Sequence, residues 1–238
     1  MGALPVQAFL DAFHEYGIDP TMEEVRGPMG MLKIDHIRTM LQGERISALW
    51  RDKYGRDWTE KDVQDVYELS EKKILEILPD FADPKPYVTE TVASLREMGM
   101  KIGSTTGYTD EMMSIVVPKA KELGYEPDCW FSPNAVGNYG RPYPYMIFKN
   151  METLGLSDVR AVIKVGDTVS DIREGIHAGM KTVGIVEGSS VLGLSKGEFD
   201  ALTEKEQREQ YERAEKIYKE AGADYVIRDI RGLLDIVK

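Results

Sequence analysis

The window PDFADPKPY, Pro79 to Tyr87, holds three prolines and divides the chain into two rhythms. Proline fixes φ and donates no amide hydrogen, so such a cluster ends regular structure and marks a linker. Before it, apolar residues recur at helical spacing and no strand pattern is found. LPVQAFLDAFHEYG puts Val6, Phe9, Leu10 and Phe13 on one face and ends in Gly17. TMEEVRGPMG opens on Thr21 with Glu24 three residues on, a capping box. KIDHIRTMLQ and RISALWRDKYG predict two short helices, and TEKDVQDVYELSEKKILEIL a long one opened by Thr59. After the prolines, helix and strand alternate. The strands are KIGST, DCWFSP, AVIKVGD, KTVGIVEG and DYVIRD, and the helix DEMMSIVVPKAKELG is expected to be interrupted at Pro118. This alternation predicts an α/β class protein with a Rossmann-like open parallel sheet. The expected domains are an N-terminal all-helical cap over residues 1–82 and the α/β core over 83–238.

A formal net charge of −11 argues against nucleic acid or an anionic membrane as the main partner. It leaves room for a small anionic substrate at a locally basic or metal-holding site. The single cysteine, Cys129, rules out an internal disulfide and suits a reducing, cytoplasmic setting. It lies in the apolar run DCWFS, as a buried structural thiol does. No window approaches the roughly 18 apolar residues of a membrane helix. The N-terminal stretch lacks the basic region of a signal peptide.

In open α/β sheets, ligands bind outside the carboxyl ends of the strands. Three strand ends here carry chemistry. KIGSTTGYT ends in Ser104, Thr105, Thr106 and Gly107, where hydroxyls and amides entering a helix form an anion cradle or an ordinary N-cap. NYGRPYPY carries Arg141 in a turn, either solvated or aimed at an anion. KVGDTVSDIREG sets Asp167 and Asp171 four residues apart where a strand passes into a helix. That pair is either a cap with a solvent-facing partner or a cation site. All three in this order are harder to dismiss than any one alone.

A Thr-ended strand, then a basic residue before a helix, then GDTVSD resembles the second, third and fourth motifs of the haloacid dehalogenase superfamily of phosphotransferases. The segment GPMGMLKIDHIR, with IGSTTGYT, GRPYP, IKVGDTVSD and EGSSVLGLS, resembles the phosphonoacetaldehyde hydrolase (phosphonatase) family within it, over nearly the whole chain. The resemblance implies an enzyme that hydrolyses the C–P bond of phosphonoacetaldehyde to acetaldehyde and phosphate. It implies Mg²⁺ at Asp167 with Asp171 in support, and a phosphoryl group held by Thr106, Gly107 and Arg141. Lys33 would form a Schiff base with the aldehyde, which requires a neutral amine. Met29 would pack beside it and His36 would relay or orient a proton. On residue type alone these three are a surface lysine, a core methionine and a satisfied histidine. The family also implies a homodimer through the cap helices, for which the first helix, with Phe9 and Phe13, is a candidate face; packing inside the cap is the equal alternative.

One motif of the superfamily is missing. No apolar strand ending in D-x-x-G-T, whose first aspartate is the nucleophile, occurs in the 238 residues. YVIRDIRG comes too late and lacks the threonine. The family places that strand in the middle of the sheet, between the strand ending at Thr106 and the one ending at Asp167. The expectation is therefore a chain whose recorded start lies downstream of the true one, with an open slot and little or no hydrolase activity. Two other functions stay open: a different phosphatase or dehalogenase of the superfamily, which would lack the cap lysine, or a non-catalytic relative that binds a ligand or partner.

Overall fold

Each amphipathic segment ahead of the prolines becomes a helix. In a computed structural model, which describes residues 3–28 and 33–238, these are α1 (Ala3–Glu15), α2 (Met22–Arg26), α3 (Lys33–Gln42), α4 (Glu44–Tyr54) and α5 (Glu60–Ile77). The capping box of Thr21 and Glu24 is formed, and Thr59 and Asp62 make a second one at the head of α5. Helix α1 lies along α5, and α3 packs on α5 as well. Phe9, Phe13, Ile37, Leu41, Ile46, Trp50, Val63 and Val66 form the core between them. Each large side chain fully buried in this way contributes about 1.5–3 kcal/mol. Phe9 and Phe13 lie in this core, 1% and 0% exposed, so they are not a face for a second copy. Their rings fill the narrow space between α1 and its neighbours.

The chain divides into two compact units, Met1–Phe81 and Ala82–Lys238. The second unit contains α6 (Val88–Glu97), β1 (Gly103–Thr105), α7 (Asp110–Glu122), β2 (Cys129–Phe131) and α8 (Tyr145–Leu154). It continues with β3 (Ile163–Gly166), α9 (Val169–Ala178), β4 (Lys181–Ile185), α10 (Lys196–Asp200), α11 (Glu204–Glu220), β5 (Tyr225–Ile227) and α12 (Leu233–Ile236). Every strand pairing is parallel, as crossover helices require.

The sheet is in two pieces. β1 pairs with β2, and β3, β4 and β5 follow one another in order, with no ladder joining β1 to β3. The interruption lies between the β1–β2 pair and the β3–β4–β5 set. One local expectation is corrected, and one helix was not anticipated. Helix α7 runs through Pro118 without a break. One missing amide bond is tolerated there because Met112, Met113 and Ala120 bury the helix on both sides of it. Helix α10, unmarked by apolar periodicity in five residues, is opened by a capping box of Ser195 and Glu198.

Candidate active site

The carboxyl ends of β1 and β3 bring the core motifs together. After β1 the chain turns through Thr106 and Gly107 into α7, whose N-cap is Thr109. Thr106 is buried, and its hydroxyl accepts from the Tyr108 amide at 3.0 Å. Gly107 faces Arg141: a Cβ there would stand 3.2 Å from the guanidinium. The Arg141 side chain is only 16% exposed and pairs with Asp171 on the first turn of α9. Asp171 reaches that position because Gly166 gives way to it; a Cβ on Gly166 would lie 2.2 Å from the Asp171 side chain.

Asp171 is surrounded by donors. Besides Arg141, Lys164 lies 3.0 Å from Oδ1, and the Thr168 hydroxyl donates to Oδ2 at 2.6 Å. Burial alone would push this carboxyl up. Lys164, Arg141 and Thr168 outweigh burial and hold it well below the usual carboxylate range. Burial likewise disfavours the Arg141 charge, and Asp171 and Glu174 more than offset that, so its pKa is raised.

Lys164 was not among the residues singled out from the sequence. It sits on β3, one residue off the face that Ile163 and Val165 present to the core with Leu95, Val183 and Leu233. Its ammonium reaches Thr105 Oγ1 at 2.7 Å and Glu174 Oε2 at 2.8 Å, and the Thr105 hydroxyl donates to the same Glu174 oxygen at 2.9 Å. Two cations, Arg141 and Lys164, thus face two carboxylates, Asp171 and Glu174, and side chains span the space between β1 and β3. Glu174 Oε1 is buried with no hydrogen-bond partner. A lysine inside an apolar strand was the available signal, but which carboxylates it meets depends on the fold.

Asp167 stands apart from this cluster. Its carboxylate is 3.2 Å from the Lys85 ammonium, and its backbone carbonyl accepts from the Ser190 hydroxyl at 3.1 Å. Burial, with Asp167 adding to it, pushes the Tyr108 phenol up to about 12. Asp171 is engaged by two cations and a hydroxyl, whereas Asp167 faces one ammonium. Among the described residues, no group of three or more His, Cys, Asp or Glu is placed to hold a metal ion. Asp167 alone fits Mg²⁺, which accepts one or two carboxylates and fills its other positions with waters and phosphate oxygens. A cationic group already stands against that oxygen.

In the first unit, Lys33 begins α3 and its ammonium lies 2.7 Å from Glu71 Oε1 on α5, with both side chains about one-quarter exposed. Glu71 is a second residue the sequence did not mark, 38 positions away in a charged helix face. His36, one turn after Lys33, points into the core, 2% exposed, with its ring 4.3 Å from that of Phe9. Its Nε2 has no partner, and burial lowers its pKa, partly opposed by a bond to the Val25 carbonyl. The structure does not join His36 to Lys33. Met29 lies outside the described residues.

The sequence model of haloacid dehalogenase-like hydrolases matches residues 6–179, and a related hydrolase-like model matches 138–233. A phosphonoacetaldehyde hydrolase from Lysinibacillus sphaericus is 49% identical over 229 residues, covering 96% of this chain and 85% of that protein. One from Bacillus cereus is 45% identical over 98% of this chain and 88% of its own length. A crystal structure of a phosphonoacetaldehyde hydrolase-like protein from Oleispira antarctica superposes with a TM-score of 0.87 at 35% identity, over 98% of this chain and 84% of that one. No helix among the described residues is long and apolar enough to cross a membrane.

Proposed function

Given that this chain belongs to the phosphonoacetaldehyde hydrolase family of haloacid dehalogenase-like hydrolases, we propose that its chemistry is the conversion of phosphonoacetaldehyde and water to acetaldehyde and phosphate. The observation that carries this is the buried Arg141, drawn by Asp171 against the Thr106–Gly107 turn at the carboxyl end of a strand. A guanidinium fixed there by a fully engaged carboxylate is pre-positioned for phosphoryl oxygens.

The Lys33 amine adds to the aldehyde carbon and water leaves, giving an iminium. Glu71 Oε1, at 2.7 Å, is placed to take the proton that frees the amine. When the C–P bond breaks, its electron pair stays on carbon, and the iminium accepts it as an enamine. Protonation at that carbon and addition of water release acetaldehyde and restore Lys33. The phosphoryl group passes to a carboxylate oxygen and from there to water, with Arg141, Gly107 and Thr106 holding its other oxygens. Mg²⁺ bound at Asp167 would neutralise phosphoryl charge. His36, buried and neutral, acts in this proposal by packing α3 against α1 and so orienting Lys33. The protein is further proposed to act in the cytoplasm as a homodimer.

The carboxylate nucleophile has no counterpart in these 238 residues. The chain as written is therefore expected to turn over little or no phosphonoacetaldehyde. Fusing an apolar strand that ends in D-x-x-G-T ahead of Met1 is expected to produce acetaldehyde and phosphate in equal amounts. In that fused protein, borohydride should trap the aldehyde on Lys33, and Lys33→Ala should lose both adduct and turnover. Ordinary turnover by the unfused chain would overturn the nucleophile assignment. Turnover that survives Lys33→Ala would overturn the Schiff base.

A further inference from the structure

We propose that Lys85 is the internal counter-cation of Asp167: it covers the side of the carboxylate that a divalent cation needs, and such a cation binds only by displacing it. The inference rests on Asp167 as the proposed metal ligand. Lys85 comes from the proline-rich loop between the Leu78–Phe81 turn and α6. Its ammonium lies 3.2 Å from Asp167 Oδ2 and also donates to the Gly188 carbonyl, so it bridges the segments that follow β3 and β4.

The loop is built to hold it there. Tyr87, two residues on, has φ of 68°, a left-handed conformation that side chains other than glycine rarely adopt. Its ring lies under the Arg231 guanidinium at 3.8 Å, and Arg231 pairs with Asp229 at 2.7 Å. The loop is thereby pinned to the segment after β5. Asp167 is fixed from the other side by the Ser190 hydroxyl on its carbonyl.

A Mg²⁺ or Mn²⁺ ion approaches a carboxylate oxygen to about 2.0–2.2 Å. An ammonium 3.2 Å from Oδ2 repels an incoming cation and competes with it for that oxygen. The side chain has somewhere to go. A cavity of about 90 Å³, lined by Tyr87, Ile185, Phe199 and Ile230 together with Glu187, Lys196 and Asp229, adjoins both Lys85 and Asp167. Its apolar residues suit the lysine stem, and the carboxylates of Glu187 and Asp229 suit the ammonium. Metal affinity at Asp167 is then set by competition with a group of the same chain.

Mn²⁺ alone, titrated into the 238-residue protein and followed by the electron paramagnetic resonance of the free ion, tests this without catalysis. Lys85→Met is expected to bind Mn²⁺ about fivefold more tightly than the unsubstituted chain, or better, the part-buried ion pair no longer competing. Lys85→Arg, which keeps the charge, is expected to bind no more tightly. Asp167→Asn is expected to abolish binding in both backgrounds. If Lys85→Met fails to fold, Lys85→Gln, which keeps a donor for the Gly188 carbonyl, makes the same comparison. Equal affinity with and without the lysine charge, while Asp167→Asn still abolishes binding, overturns the role of Lys85 and leaves Asp167 as ligand. Binding that survives Asp167→Asn overturns the ligand, and the inference with it.

Discussion

Asp171→Asn changes one charge in a cluster where the charges balance. Arg141 and Lys164 face Asp171 and Glu174, and the four side chains are 16%, 10%, 4% and 0% exposed. Removing the Asp171 charge leaves two buried cations facing one carboxylate. Breaking a buried pair in this way costs about 3–5 kcal/mol, because the partner's charge stays desolvated and uncompensated. A domain's net stability is about 5–15 kcal/mol, so the loss is a large share of the total. The double variant Arg141→Met with Asp171→Leu removes one charge of each sign and leaves Lys164 paired with Glu174. It is expected to recover most of the loss and fall within about 1–2 kcal/mol of the unsubstituted protein. Hydrogen exchange at the β3 and α9 amides reads the second unit without interference from the first. The pH dependence supplies a second check. The Asp171 carboxyl is held below its unfolded value, so its contribution is complete above about pH 4 and is lost as pH falls through the folded value. Asp171→Asn should flatten that acid limb. A single variant costing under about 1 kcal/mol, or a double variant no better than the single, would refute the view that charge balance holds this site together.

His36 is buried and its pKa is lowered, so the unfolded chain binds a proton that the folded one resists. Its contribution is complete above about pH 6.5 and declines as pH falls below that; His36→Phe should remove this slope from the melting temperature between pH 7.5 and 5.5, and an unchanged slope would contradict it. Sedimentation velocity is expected to find two 26.9 kDa chains in one particle, and Phe9→Ala is expected to lower stability by about 3–5 kcal/mol through the core of the first unit. A monomer throughout the micromolar range would remove the proposed homodimer.

Local signals made most of the fold legible. Thr21 with Glu24, and Gly17, mark helix ends through the chemistry of the cap itself, and those ends fall where the residues indicated. The strands were legible because each is a short apolar run ending in polar residues, and parallel order followed from the helices between them. The site was legible in part. Arg141 pairs with Asp171 beside Gly107. What Asp171 does there depends on Lys164, whose ammonium finds Thr105 from 59 residues away. Glu71 finds Lys33 across 38. Lys85 finds Asp167 across 82, from a loop that composition marked only as a linker. Such pairs have no period and no local spacing, so a one-dimensional pattern does not contain them.

The interrupted sheet gives these long-range pairs a common cause. No ladder joins β1 to β3, and side chains link the two strands instead, Lys164 on β3 reaching Thr105 on β1. A buried backbone group left without a partner costs about 1–3 kcal/mol, so polar side chains are favoured there over apolar ones. Asn150 on α8 meets this need at the Ser104 carbonyl, at 3.1 Å, and Lys164 with Glu174 takes the Thr105 hydroxyl between them. Glu174 Oε1 is left over, a buried acceptor with no donor. An additional parallel strand seated between β1 and β3 would supply amide donors along that edge. The same groups that close the space here would then have to turn toward their remaining partners, Lys164 to Asp171 and Asn150 to the Met146 carbonyl at 2.8 Å, both of which lie on or against α8 and α9 rather than across the gap.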